Sequence, residues 1–142
     1  MSAPIELGPG ADENGFALML SELIRQNLED HPEKLRDFRR LAGRVALVVE
    51  DAEVAVTLRF DGGRLTVHDG IVGIPDVTIR ASSDDVTRMS LMELLPLVRL
   101  PDPRGAVTRH ILRASREGRI RMYGALANLP TVIRLTRIMS VT

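Results

Sequence analysis

The chain contains no cysteine and no tryptophan, a single lysine, and only four aromatic side chains, Phe16, Phe38, Phe60 and Tyr123. Without cysteine there is no disulfide framework, no thiol nucleophile and no thiolate metal site. Three of the aromatics fall at periodic apolar positions, which leaves no platform for stacking bases, so a nucleic-acid partner is not expected. No apolar run approaches the roughly 20 residues that cross a bilayer. The first residues lack the basic start and apolar stretch of a secretory signal, so a cytoplasmic location is expected. Charge of one sign is missing too, because 19 basic and 19 acidic side chains cancel. The balance hides an asymmetry: residues 1–85 hold 9 basic and 16 acidic side chains, whereas residues 86–142 hold 10 and 3.

What is present is a two-residue alternation between Arg44 and Ala81. Val45/Leu47/Val49, Val54/Val56/Leu58/Phe60, Leu65/Val67 and Val77/Ile79/Ala81 each recur at the spacing that places side chains on one face of a strand. The other face carries Thr57, Arg59, Thr66, His68, Thr78 and Arg80 and is expected to be mostly wet. Strands are expected near 44–50, 53–60, 64–68 and 76–81, with Asp61-Gly62-Gly63 as a hairpin turn. Helical spacing marks about 14–29 (Phe16, Leu20, Leu23, Ile24, Leu28) and a second helix from Pro32 to Ala42, with Gly43 as its stop. A short helix follows Ser82 or Ser83, and Leu91–Leu100 reads as an apolar helical piece broken by Pro96 and Pro101. A basic helix over 105–116, a fifth strand over 119–123 and a C-terminal helix carrying Leu129, Val132, Ile133, Leu135, Ile138 and Met139 complete the chain. Residues 1–15, rich in glycine and proline and without periodicity, read as a flexible arm before one domain over 16–142.

Motifs that would advertise chemistry are missing. His31, His68 and His110 stand apart without zinc-site spacing, and the acidic cluster Glu50, Asp51 and Glu53 lacks the glycine of a calcium loop, so no metal is expected. No serine lies in a Gly-x-Ser-x-Gly setting and no glycine-rich phosphate loop occurs, so neither an enzyme nor a bound cofactor is expected. Arg109, Arg113 and Arg116 share a helical face, which is either a solvated surface or a contact for an anionic membrane or a lipid head group.

Three stretches, Phe38-Arg39-Arg40-Leu41-Ala42-Gly43, Pro75 to Asp85 (PDVTIRASSDD) and Gly118-Arg119-Ile120-Arg121-Met122-Tyr123-Gly124, resemble the sterol carrier protein type two domain family in their order and spacing. The resemblance covers about residues 16 to 140. It implies an α+β fold with a five-stranded, mostly antiparallel sheet, helices on one face, an apolar tunnel between them, and non-catalytic binding of fatty acyl, sterol-like or isoprenoid lipids. The 91–116 segment is long for the usual connection and adds the basic helix, which would cap or plug the tunnel.

On this reading the lipid-contacting residues are Val56, Leu58 and Phe60 from the sheet, Met89 and Leu94 from the middle, and Met122, Leu129, Val132 and Ile133 from the end. Aliphatic walls suit an acyl chain or a fused ring because apolar burial needs no hydrogen-bonding pattern. The alternative is a scaffold of the same fold with a filled core, assisting lipid- or quinone-modifying enzymes.

Overall fold

The computed structural model describes residues 4–142. Asn14 fixes where the first helix, α1 (Gly15–Asp30), begins. Its side-chain oxygen accepts the backbone N–H groups of Phe16 (3.1 Å) and Ala17 (3.2 Å), donors that the first turn of a helix cannot satisfy itself. Its side-chain nitrogen donates to the Ala55 carbonyl (3.1 Å) and to Asp69 (2.8 Å), so one buried amide both starts the helix and docks it on the sheet. A short 3-10 turn, Pro32–Lys34, precedes α2 (Leu35–Arg40). That helix stops earlier than its sequence pattern suggests. Ala42 and Gly43 already belong to a strand, β2 (Ala42–Val49), with Gly43 at a φ of 109° that favours glycine.

β2 pairs antiparallel with β3 (Val54–Asp61), which pairs antiparallel with β4 (Leu65–Asp69). The meander then breaks. The stretch read as a loose arm contains a strand, β1 (Ile5–Leu7), which lies parallel against β4 and occupies its free edge. β5 (Val77–Ala81) therefore joins at the opposite side, parallel to β2. A last short strand, β6 (Arg121–Tyr123), pairs antiparallel with β5. The sheet has six strands in the order β1-β4-β3-β2-β5-β6 and is mixed, not five-stranded and mostly antiparallel. A three-residue strand is too short to show alternation, which is why β1 left no signal in the sequence.

To reach β2 from β4 the chain crosses the outer face of the sheet. Thr57 holds this crossing: its hydroxyl donates to the Gly70 carbonyl (2.7 Å) and accepts the Val72 N–H (3.0 Å). Thr57 and Ala46 are consequently fully buried on the face expected to be wet.

Helices cover the other face: α1 and α2, then α3 (Ser83–Met89), α4 (Ala106–Arg116) and α5 (Leu129–Met139). α1 packs over β3 and β4, and α5 lies against α1 and α2. The C-terminal end of α5 is buried, and its carbonyls need donors. Asn27 of α1 donates to the Ile138 carbonyl (3.0 Å) and the ammonium of Lys34 donates to the Ser140 carbonyl. A cation at a helix C-terminus is also favoured by the helix dipole. Burial, reinforced by the nearby charge of Arg99, lowers the Lys34 pKa from its usual 10.5 to about 8.

This predicts a pH signature. Between pH 8 and 10.5 the unfolded chain holds the Lys34 proton that the folded chain has released, so the contribution of this group to stability rises with pH across that window. Lys34→Met should abolish that rise. Urea unfolding of both proteins on either side of the window measures it, and a stability difference independent of pH would show that Lys34 keeps its proton.

Candidate functional site

The apolar face of the sheet is covered in two ways. Under α1 and α2 it is solid: Phe60 meets Phe38 edge to face with ring centroids 6.3 Å apart, and Val56, Leu65 and Val67 are buried. Under α3, α4 and α5 a cavity of about 210 Å³ remains. Its floor is Val45, Leu47, Leu58 and Ile79; its walls include Val86, Ile111, Ile120, Val132 and Leu135. Four of the six methionines of the chain, Met89, Met92, Met122 and Met139, also line it. Only Ser115 and Thr136 bring hydroxyls, and that of Thr136 already donates to the Val132 carbonyl one helical turn back (2.8 Å).

The segment between α3 and α4 is not the broken helix its apolar content suggested. Pro96 and Pro101 cannot donate to a helical ladder, and the chain instead doubles back, with Leu94 bridged to Pro101 and Asp102 N–H donating to the Glu93 carbonyl (2.8 Å). Glu93 ties this turn to α4. Its carboxylate accepts the N–H groups of Val107 (3.2 Å) and Thr108 (3.1 Å), acting as a cap supplied from outside the helix. Backbone N–H groups, its own and those of Thr108 and Val107, hold the Glu93 carboxyl below the usual range. Gly105 makes the approach possible, since a Cβ there would collide with the carboxylate. On the other side His110 of α4 lies 3.0 Å from the buried Asp85 of α3. The added helix is thus held on two sides of its N-terminal half, and through Ile111 and Ser115 it walls the cavity without filling it.

Of the nine residues expected to contact a ligand, the structure brings Leu58, Met89, Met122 and Val132 to the cavity. Val56 and Phe60 share the face of Leu58 but lie in the solid core. Leu94 is taken up by its bridge to Pro101. Ile133 is off the stripe: α5 turns Val132, Leu135, Thr136 and Met139 inward, at i, i+3, i+4 and i+7, and the next residue points about 100° away. Leu129 continues that stripe backward but lies beyond the rim, 48% exposed. Sequence reasoning missed Met92 and Met139, whose signal was the concentration of methionine in the second half of the chain, and Ile111, whose signal was the apolar face of the basic helix. Arg109, Arg113 and Arg116 are exposed on α4 beside Leu112, and no carboxylate pairs with them among the described residues.

A sequence model of the SCP-2 sterol transfer family matches residues 20–96. The chain belongs to this family. The match spans the cavity floor strands and α3 and ends before α4, β6 and α5. No curated protein matches the chain. Among solved structures, one titled "UbiJ-SCP2 Ubiquinone synthesis protein" superposes with a TM-score of 0.58 at 15% identity, covering 87% of this chain and 94% of that one. A crystal structure of sterol carrier protein 2 gives a TM-score of 0.51 at 17% identity, covering 84% and 90%. At such identities the likeness is one of fold, and it agrees with helices packed on one mixed sheet.

The outside cap yields a prediction. Glu93→Ala removes the acceptor for two α4 N–H groups and should cost about 1 kcal/mol, the usual worth of a helix cap. Gly105→Ala should cost at least as much, because its methyl displaces the same carboxylate. Combining the two should be no worse than the larger single loss. Additive thermal shifts would separate Gly105 from the cap.

Proposed function

We propose that this protein binds a hydrophobic ligand in the cavity between its sheet and helices α3 to α5, and carries or presents it without chemistry of its own. The observation that carries this reading is the lining: apolar floor, apolar walls, four flexible methionines and a hydroxyl already engaged by its own helix. Membership of a sterol transfer family supports it. Size refines it. A volume of about 210 Å³ lies below the roughly 300–1,000 Å³ of drug-sized ligand sites. With each methylene occupying about as much space as a water, ~30 Å³, it takes some seven methylenes. At about 0.8 kcal/mol each these supply roughly 6 kcal/mol gross, much of which the cost of association offsets. Tight binding of a longer chain or a fused ring therefore needs the cavity to grow, and methionine, with three soft torsions, is the residue that lets a wall move without breaking.

The arginines of α4 supply the surface such a carrier turns toward an anionic membrane, with Leu112 between them. A second reading, an accessory role beside lipid- or quinone-modifying enzymes, is favoured by the exposed apolar crossing on the outer face, where Ile74 is 86% exposed beside Ile71 and Val72. The likeness in fold to a ubiquinone synthesis protein motivates the same reading.

Val132→Phe tests the carrier. The added ring fills the cavity from a half-buried position, so the variant should remain folded and lose at least about tenfold in affinity for a fluorescent fatty acid, since overpacking a filled site leaves no room for the ligand. Native mass spectrometry of wild type from its host should show a lipid that the variant lacks. Equal occupancy in both would move the binding elsewhere, and no lipid in either favours the accessory role.

A separate expectation concerns the membrane. Replacing Arg109, Arg113 and Arg116 by Gln should weaken co-sedimentation with anionic vesicles, which in wild type falls with salt, and leave fatty-acid binding intact. Indifference to vesicle charge would return these arginines to a solvated role.

A further inference from the structure

The segment that gives Met92 and Pro101 to the apolar cavity also gives Pro96 to Arg99 to a second, open groove of about 730 Å³, whose other wall is the stretch from Pro32 to Arg40. Six cationic side chains line it: Lys34, Arg36, Arg39, Arg40, Arg99 and Arg137. Only two side-chain carboxylates face them, Glu33, which lies 3.6 Å from His31, and Asp37, which Arg137 holds (3.2 Å). Among the described residues no side-chain carboxylate pairs with Arg36, Arg39 or Arg40, while the Arg99 guanidinium donates to the oxygen of Thr142 (2.7 Å).

The groove is built and braced. Arg137 donates to the carbonyls of Val98 (2.9 Å) and Arg99 (3.2 Å) while holding Asp37, so one guanidinium clamps the tip of the segment to α2. Arg99 itself sits at a φ of 56°, a left-handed conformation that side chains other than glycine rarely adopt and that clusters at ligand clamps. Lys34, 3% exposed, closes the groove beneath. Burial above all, and the charge of Arg99, lower its pKa against the opposing pull of Glu33 and Asp37. Leu97, 95% exposed, and Val98 stand on the rim.

We propose that this groove binds a phosphate-class oxyanion carrying two or more charges, a phosphomonoester or a pyrophosphate group. Guanidinium forks match the oxygen geometry of such groups, and the three guanidiniums of α2 left without a carboxylate, Arg36, Arg39 and Arg40, reward a multiply charged ligand over a single carboxylate. The group arrives either on a lipid, whose apolar part then meets Leu97 and Val98, or on a soluble phosphate compound. The site stands on the groove alone and does not require the apolar cavity to be occupied.

Calorimetric titration of the full chain with inorganic pyrophosphate, and co-sedimentation with phosphatidylcholine vesicles containing phosphatidic acid, test the two sources. The groove variant carries Arg36→Gln and Arg40→Gln. A contrast variant with the same change in charge carries Arg64→Gln and Arg104→Gln, 67% and 85% exposed and outside the groove. Saturable binding of either probe should weaken at least about tenfold in the groove variant and change little in the contrast. Binding of pyrophosphate identifies a soluble source as sufficient; binding of vesicles alone identifies a lipid head group. In wild type, saturation should also raise the Lys34 pKa followed by NMR, a readout that does not depend on any variant folding. No saturable binding of either probe, equal weakening in both variants, or an unmoved Lys34 overturns the proposal.

Discussion

The buried C-terminal end of α5 is the constraint on which the layout depends. A helix end in the interior carries carbonyls that water cannot reach, and here they are met by Asn27 and Lys34, contributed from more than a hundred residues earlier in the chain. That hold draws α5 against α1 and α2 at one end and leaves its inward stripe over β2 and β5. The division of the apolar face into a solid half and a hollow half follows from where α5 is pinned. A single lysine in an otherwise arginine-rich chain fits this task. A compact ammonium is accommodated in a closed site, and can give up its proton there, more readily than a planar guanidinium.

Much of the sheet was legible because alternation is a local signal. Val45/Leu47/Val49 and Val77/Ile79/Ala81 declare both the strand and its inward face. Pairing partners are not local, and so neither the parallel entry of β5 beside β2 nor the strand at Ile5–Leu7 could be read; each depends on which edge another segment has taken. Thr57 shows the same limit from the other side. Its polarity marked it for solvent, whereas its two hydrogen bonds to the crossing loop bury it.

The candidate site was legible in its chemistry and less so in its membership. Leu58 and Val132 were found because they sit on strongly patterned elements. Val56 and Phe60 have the right face and the wrong neighbours, since a strand pattern says nothing about which helix lies above. One residue of helical phase separates Val132 from Ile133 and turns a lining residue into a bystander. The family match ends at residue 96, so the floor of the cavity lies in the shared part of the fold, while much of its roof is built from α4, β6 and α5 outside the match. The roof is therefore built from sequence that the family's common pattern does not cover.

The methionine lining has a consequence for redox behaviour. Oxidation of a thioether to a sulfoxide converts a soft apolar surface into a polar, chiral one, and at the wall of a small apolar cavity this sets a dipole among groups that cannot answer it. Of the lining methionines, Met122, 41% exposed on the edge strand, is the first an oxidant in solution meets; Met89, Met92 and Met139 lie deeper. With no cysteine anywhere in the chain to react ahead of them, the lining sulfurs share an oxidant only with methionines outside the cavity such as Met19, 39% exposed. The same atoms that soften the wall make its apolar character answer to oxidative stress.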